Sequence, residues 1–215
     1  MQSDFKDQSN NITMSDQADL PSEFGTFTIV GFLEHGTGKE HSAIMKGRIE
    51  GEENVPCRIH SECHTGDVLG SLRCDCRKQL ELALRYIEEQ GKGVLVYLRQ
   101  EGRGIGLINK INAYRLQQDG LDTVEANVEL GLPPEARNYA FAASVLKLLK
   151  VKSISLISNN PAKFEGLKKE GIVITSRIPV AIESNAFNRE YLNTKQSRLH
   201  HQFNDSKEVL GERHS

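Results

Sequence analysis

No apolar run in this sequence approaches the ~20 residues that a membrane-spanning helix needs. Charge of one sign is also missing: 27 Lys and Arg stand against 29 Asp and Glu, a formal net charge of −2. Such a balance gives no global basic field for nucleic acid or an anionic membrane surface, although a local Arg/Lys cluster could still hold a small anion. The first 20 residues are polar and mixed in charge, unlike a secretory signal. Cysteine is too scarce for a disulfide framework, with four in 215 residues. No internal repeat is visible. Hydrophobic residues make up 38% and aromatics 6%, enough for one core with polar ends.

What is present is uneven. Three of the four cysteines fall in one stretch, Cys63-x10-Cys74-x-Cys76. Clustered thiols without disulfide partners suggest metal binding in a reducing compartment, and hence a cytoplasmic protein. Cys74 and Cys76 are one residue apart, too close for an unstrained mutual disulfide.

The pattern along the chain predicts an α/β fold, a single layered domain with a mixed central sheet. Residues 1–20 and 201–215 read as disordered tails around a 21–200 core. Segments 26–33, 42–49 and 55–60 read as strands of an antiparallel opening. Residues 75–90 read as a helix capped by Asp75, with Leu80, Ala83, Leu84 and Ile87 on one face. The run GVLVYL at 93–98 suits a strand buried on both sides. A helix at 107–119 follows, and another opens at Pro133-Pro134 and turns Phe141, Val145, Leu148 and Leu149 inward. Strands at 153–158 and 172–178 flank a short helix at 162–170. Strand–helix alternation of this kind implies a largely parallel central part.

Cys74-Asp-Cys76 precedes a helix, whose N-terminal dipole favours the thiolate form a metal requires. Three cysteine ligands leave a fourth position open, the mark of a catalytic Zn²⁺. Two other readings stay open: a structural Cys₃His site closed by His60 or His64, and buried cysteines without metal. Cys57 alternates on a strand and reads as core. The turn Arg99-Gln100-Glu101-Gly102-Arg103-Gly104-Ile105-Gly106 joins a buried strand to a helix, where backbone N–H groups and Arg103 can approach phosphate. Its glycine spacing is neither the dinucleotide fingerprint nor a P-loop, and a plain tight turn explains it equally well. Glu135-Ala136-Arg137-Asn138 and Ser158-Asn159-Asn160-Pro161-Ala162-Lys163 are polar helix starts that can be ordinary caps or ligand contacts.

Taken in order, RIHSEC, TGD-x4-LRCDC, RQEGRGIGL, NKI-x-AY-x-LQ, DTVEAN and SNNP-x-K resemble GTP cyclohydrolase II across about residues 20–200. The resemblance implies hydrolysis of GTP to 2,5-diamino-6-(5-phosphoribosylamino)pyrimidin-4-one, formate and diphosphate, the first step of riboflavin biosynthesis. It implies one Zn²⁺ on Cys63, Cys74 and Cys76, Mg²⁺ with the GTP phosphates, and a homodimer. GTP contacts carry over to Arg58, Ile59, His60, Ser61, Glu62, Gln79, Glu101, Gly102, Arg103, Thr123, Ser158 and Lys163. Catalytic roles carry over to Glu135, Arg137 and Tyr114. Arg137 would serve as a nucleophile or as a clamp on the α-phosphate. The family's Asp-x-Arg-Asp run reads Glu135-Ala136-Arg137-Asn138 here, and a Ser stands at 158 where threonine is usual. That altered turn leaves two alternatives: a same-fold guanine-nucleotide hydrolase with altered product or pathway, and a zinc-containing GTP-binding module without turnover.

Overall fold

The computed structural model describes residues 11–133, 136–189 and 210. One seven-stranded sheet organises them. Its strands are β1 (Ile12–Ser22), β2 (Gly25–Glu34), β3 (Lys39–Lys46), β4 (Val55–Ser61), β5 (Gly93–Leu98), β6 (Ile154–Ile157) and β7 (Ile174–Ile178). The spatial order is β1-β2-β3-β5-β4-β6-β7. β1, β2, β3 and β5 pair antiparallel, while β5, β4, β6 and β7 run parallel, so the mixed α/β sheet changes character at β5.

The helices are α1 (Cys76–Glu89), α2 (Leu107–Gln118), α3 (Thr123–Glu129), α4 (Ala140–Leu148) and α5 (Pro161–Lys169), with α1 packed on one face of the sheet and α4 and α5 on the other. β5 shows why its run is continuously apolar. Val94, Val96 and Leu98 pack with Ala142, Val145 and Leu146 of α4, while Leu95 packs with Ala83 and Ile87 of α1. Successive side chains leave opposite faces, and both faces are covered. Cys57 lies in the α4-side core, with its thiol pushed up to about 12 by burial.

The expected disordered lead-in needs correcting over residues 12–20. This stretch is an edge strand paired with β2 from Ile12↔Glu34 to Ser22↔Gly25. Its composition is polar because most of it faces water; Ile12 and Met14 still pack on the core. A register shift between Met14 and Gln17 turns Ser15 Oγ towards Gly31 N–H, 2.8 Å away. The tail expected at 1–10 lies outside the described residues, and so does that at 201–215 except for Leu210, which bridges Val180.

Two helix starts also differ. α4 begins at Ala140, where Asn138 Oδ1 accepts from Ala140 N–H at 2.8 Å, and not at the proline pair. Asp75 occupies the N-cap of α1 without capping it; its carboxylate accepts from Gln79 Nε2 at 2.5 Å. α3 was not expected at all. Asp122 and Glu125 form a full capping box there, a D-x-x-E signal present in the sequence.

Candidate active site

β4 and β5 are adjacent and parallel, and the loops beyond their carboxyl ends face each other, the usual place for a ligand in such sheets. Beyond β4 the chain enters a wide helical turn, His64–Val68, and then reaches α1. This path brings Cys63 from the loop against Cys74 and Cys76 at the helix start. The three sulfurs lie within 4.8 Å of one another, and Cys63 and Cys74 are 3.6 Å apart. Thiolates on a tetrahedral zinc, at ~2.3 Å each, stand ~3.8 Å from one another. A Cβ at Gly66 would fall 2.7 Å from Cys74 Sγ and 3.0 Å from Cys63 Sγ, so only glycine lets the turn close over the sulfurs.

The thiol set therefore fits a zinc ion. Among the described residues no histidine or carboxylate joins it. His60, one candidate for a fourth ligand, is turned elsewhere: its Nε2–H donates to Asp67 at 3.1 Å. Burial holds its pKa below the usual imidazole value, so the ring is neutral. Asp67 also accepts from Cys63 N–H at 3.0 Å and Tyr97 Oη–H at 2.8 Å, which fixes the turn that carries Cys63. His64 contributes its backbone N–H to Glu101 and is likewise outside the sulfur cluster.

Within the cluster, Cys63 is the thiol most biased towards the thiolate form. Hydrogen bonds from the Cys74 and Cys76 thiols and the charge of Lys110 hold its pKa far below the ordinary thiol value, against burial. Cys74 is correspondingly pushed up to about 11, chiefly by its bond to Cys63, and Cys76 is raised well above normal by both neighbours.

The opposite wall is the glycine-rich turn Glu101–Gly104. Gly102 and Arg103 both have φ near +60°. That costs a non-glycine residue of order 1–3 kcal/mol and marks a backbone held for a purpose. Glu101 is buried, and its Oε1 accepts from Lys110 Nζ at 2.7 Å and Gly102 N–H at 2.6 Å. Its Oε2 accepts from His64 N–H at 2.5 Å, tying this wall to the cysteine turn. Tyr114 Oη lies 3.4 Å from Thr65 Oγ1, with the Arg73 guanidinium 5.1 Å from its ring centre. Burial raises the Tyr114 phenol above its usual pKa, so its hydroxyl stays protonated.

These walls enclose a cavity of about 850 Å³, a volume that suits a nucleotide. It brings together Ser61, Glu62, Cys63, Cys74, Cys76, Glu101, Gly102, Arg103, Tyr114, Thr123 and Arg137 from the sequence-derived set. Both terminal nitrogens of Arg103 are shielded from solvent and lack a hydrogen-bond partner among the described residues. Nitrogens placed in this way can donate to an anion in the cavity.

Arg58, Ile59, His60, Gln79, Ser158 and Lys163 do not line the cavity. They form a largely buried seam in the fold. Arg58 donates to Ile157 O at 2.8 Å and to Gln79 Oε1, and Gln79 reaches Asp75. Lys163 Nζ donates to Ile59 O at 2.6 Å, and Ser158 Oγ accepts from Asn160 N–H at 3.1 Å. Glu135 lies outside the described residues.

The cavity also contains residues that sequence reasoning missed: Arg73, Lys110, Phe187 and Arg189. Lys110 carried a legible signal, since it precedes Tyr114 by four positions on one helix face. Phe187 and Arg189 carried none. An Asn185–Asn188 turn positions them, with Asn185 Oδ1 accepting from Phe187 and Asn188 N–H groups.

A family model for GTP cyclohydrolase II matches residues 13–179. A GTP cyclohydrolase-2 of Aeromonas hydrophila is 52% identical over 194 residues, covering 90% of this chain and 98% of the relative. One from Picrophilus torridus is 54% identical, covering 87% and 97%. The riboflavin biosynthesis protein RibBA of Bacillus subtilis is 52% identical over 183 residues, covering 85% of this chain but 46% of the relative. Among solved structures, a two-domain 3,4-dihydroxy-2-butanone 4-phosphate synthase from A. baumannii overlaps at TM-score 0.41 and 19% identity, covering 79% of this chain and 40% of that one, too loosely to bear on function. With a family match across most of its length and close relatives aligned nearly end to end, the chain belongs to the GTP cyclohydrolase II family.

Proposed function

We propose that the protein hydrolyses GTP to 2,5-diamino-6-(5-phosphoribosylamino)pyrimidin-4-one, formate and diphosphate, using one zinc ion on Cys63, Cys74 and Cys76. The observation that carries this reading is the meeting, in one nucleotide-sized cavity, of three thiols and an arginine whose terminal nitrogens lack partners among the described residues. Three waters balance the reaction. One splits the α–β phosphate linkage, one adds at C8 and opens the ring, and one releases the formyl group as formate. When bound, zinc supplies an acidified water for the attack on carbon at neutral pH.

The chain's own residues divide the remaining work. Arg103 and Arg137 bind the phosphates and stabilise charge as the α-phosphorus is attacked. Tyr114 keeps its proton at Oη beside the thiol cluster and donates it to the opening ring. Glu135 is the proposed base of that turn. Ser61, Glu62 and Thr123 border the nucleoside. Phe187, with its ring largely exposed at the cavity, offers an aromatic face for the purine. The buried seam from Arg58 to Lys163 acts on the nucleotide through the walls it braces.

Mg²⁺ arrives with the triphosphate. Of the cavity carboxylates among the described residues, Glu101 is bound to Lys110, Glu62 to Arg99, and Asp122 caps α3, so these residues leave no dedicated oxygen cage for it. A homodimer in a reducing cytoplasm completes the proposal. The clustered free thiols support the compartment, and the exposed Leu107, Ile108, Ile111 and Val128 on α2 and α3 support self-association.

The test is the product profile from GTP with Zn²⁺ and Mg²⁺. One formate and one diphosphate per GTP, with a new pyrimidine absorbance, is the expected result. GTP-dependent thermal stabilisation without formate would replace this reading with nucleotide binding alone.

A further inference from the structure

Lys110 has an arrangement that its position near a ligand cavity does not explain by itself. Its Nζ lies 3.1 Å from Cys63 Sγ and 2.7 Å from Glu101 Oε1. Its side chain is about nine-tenths buried (11% exposed), as is that of Glu101 (9%). Glu101 in turn accepts from the backbone N–H of His64, the residue after Cys63. The ammonium thus closes a ring: Cys63 sulfur, Lys110, Glu101, then back to the turn that carries Cys63.

We propose that Lys110 is a positioning residue for the metal centre, donating a charge-assisted N–H···S hydrogen bond to Cys63 that lowers the sulfur's electron donation to the ion. The idea rests on the zinc reading above. Groups outside the ligand shell fix ligand orientation and tune the metal, and a buried charged donor on a ligating thiolate does both. A thiolate that shares its lone pairs with an ammonium gives less charge to the metal, which leaves the metal more acidifying towards bound water. Glu101 serves as the anchor: with two backbone N–H groups and the ammonium on its carboxylate, it fixes where Nζ points. Two of the three N–H groups on Nζ are spent on Cys63 and Glu101, so sulfur and not phosphate is the partner that the geometry shows.

Cobalt substitution tests this without relying on turnover. Thiolate-to-cobalt charge-transfer absorption moves to lower energy when a sulfur loses a hydrogen bond. Cobalt-loaded Lys110→Met should show that shift, Lys110→Gln a smaller one, and Lys110→Arg a position close to the parent. The zinc forms should keep about one ion per chain, with kcat for GTP reduced roughly 10–100-fold in Lys110→Met and KM little changed. Should Lys110→Met fail to fold, the Gln and Arg variants still give an ordered pair. Unshifted charge-transfer bands in folded, cobalt-loaded variants would overturn the proposal. So would a raised KM with unchanged kcat, which would make Lys110 a phosphate contact. If the parent protein itself shows no thiolate–cobalt absorption, the zinc reading fails and not merely the role of Lys110.

Discussion

Arg58 and Arg103 are the same residue type with opposite accounts to give. Arg58 is buried in the seam, and both its terminal nitrogens are bonded, to Ile157 O and to Gln79. Arg103 stands on a left-handed backbone at the cavity, and both its terminal nitrogens lack partners among the described residues. The first arginine is tied into the fold through its terminal nitrogens, and the second borders the cavity. The difference separates residues whose side chains brace the walls from residues that line the cavity, a distinction that sequence strings alone do not draw.

The largest expected effect lies in the thiol cluster. Cys74→Ser should lose bound zinc and reduce formate release below detection, because a thiolate ligand is gone. Metal analysis beside a formate assay checks both. Next comes the seam. Arg58→Met should lower unfolding stability by about 3 kcal/mol, since charged hydrogen bonds are worth ~1.5–3 kcal/mol each. For a chain of this size that is a melting point ~6–12 °C lower. Arg103→Ala should do the reverse. KM for GTP should rise roughly 10–100-fold for a lost charge-assisted contact, while the melting point moves by no more than ~2 °C. A large stability loss in Arg103→Ala would break the comparison.

The smallest effect concerns pH. His60 and His41 are both buried, and burial lowers both pKa values from 6.5. A histidine whose folded pKa lies below its unfolded value leaves stability intact above pH 6.5 and removes it as pH falls below that point. Stability should therefore decline below pH 6.5 by up to ~1.4 kcal/mol per pH unit for each histidine, until the folded pKa is reached. Chemical denaturation across pH 5–8 reads this out, and a His41→Gln variant should show a shallower slope.

Much of the fold was legible because its signals are local. The apolar run of β5 and the stripe Leu80, Ala83, Leu84, Ile87 on α1 follow directly from periodicity. β1 was not legible, because an edge strand with water on much of its surface reads as a polar tail until its partner is known. The start of α4 was misplaced because Asn138, and not the proline pair, supplies the capping contact. In the site, the three cysteines were visible from spacing. Residues assigned to GTP by resemblance then divided between cavity and seam, since a motif gives a residue's place in the chain and not the direction of its side chain. Lys110 shares a helix face with Tyr114, but its partners, Cys63 and Glu101, are 47 and 9 residues away and the sequence does not show them.

The central claim is that a metal on these thiols governs chemistry at the guanine ring. The direct measurement is formate released per GTP by one protein sample as prepared, after chelation, and after zinc is returned. The account predicts one formate per GTP, then none, then recovery, with the fold intact throughout. Undiminished formate from the chelated, metal-free protein would contradict it.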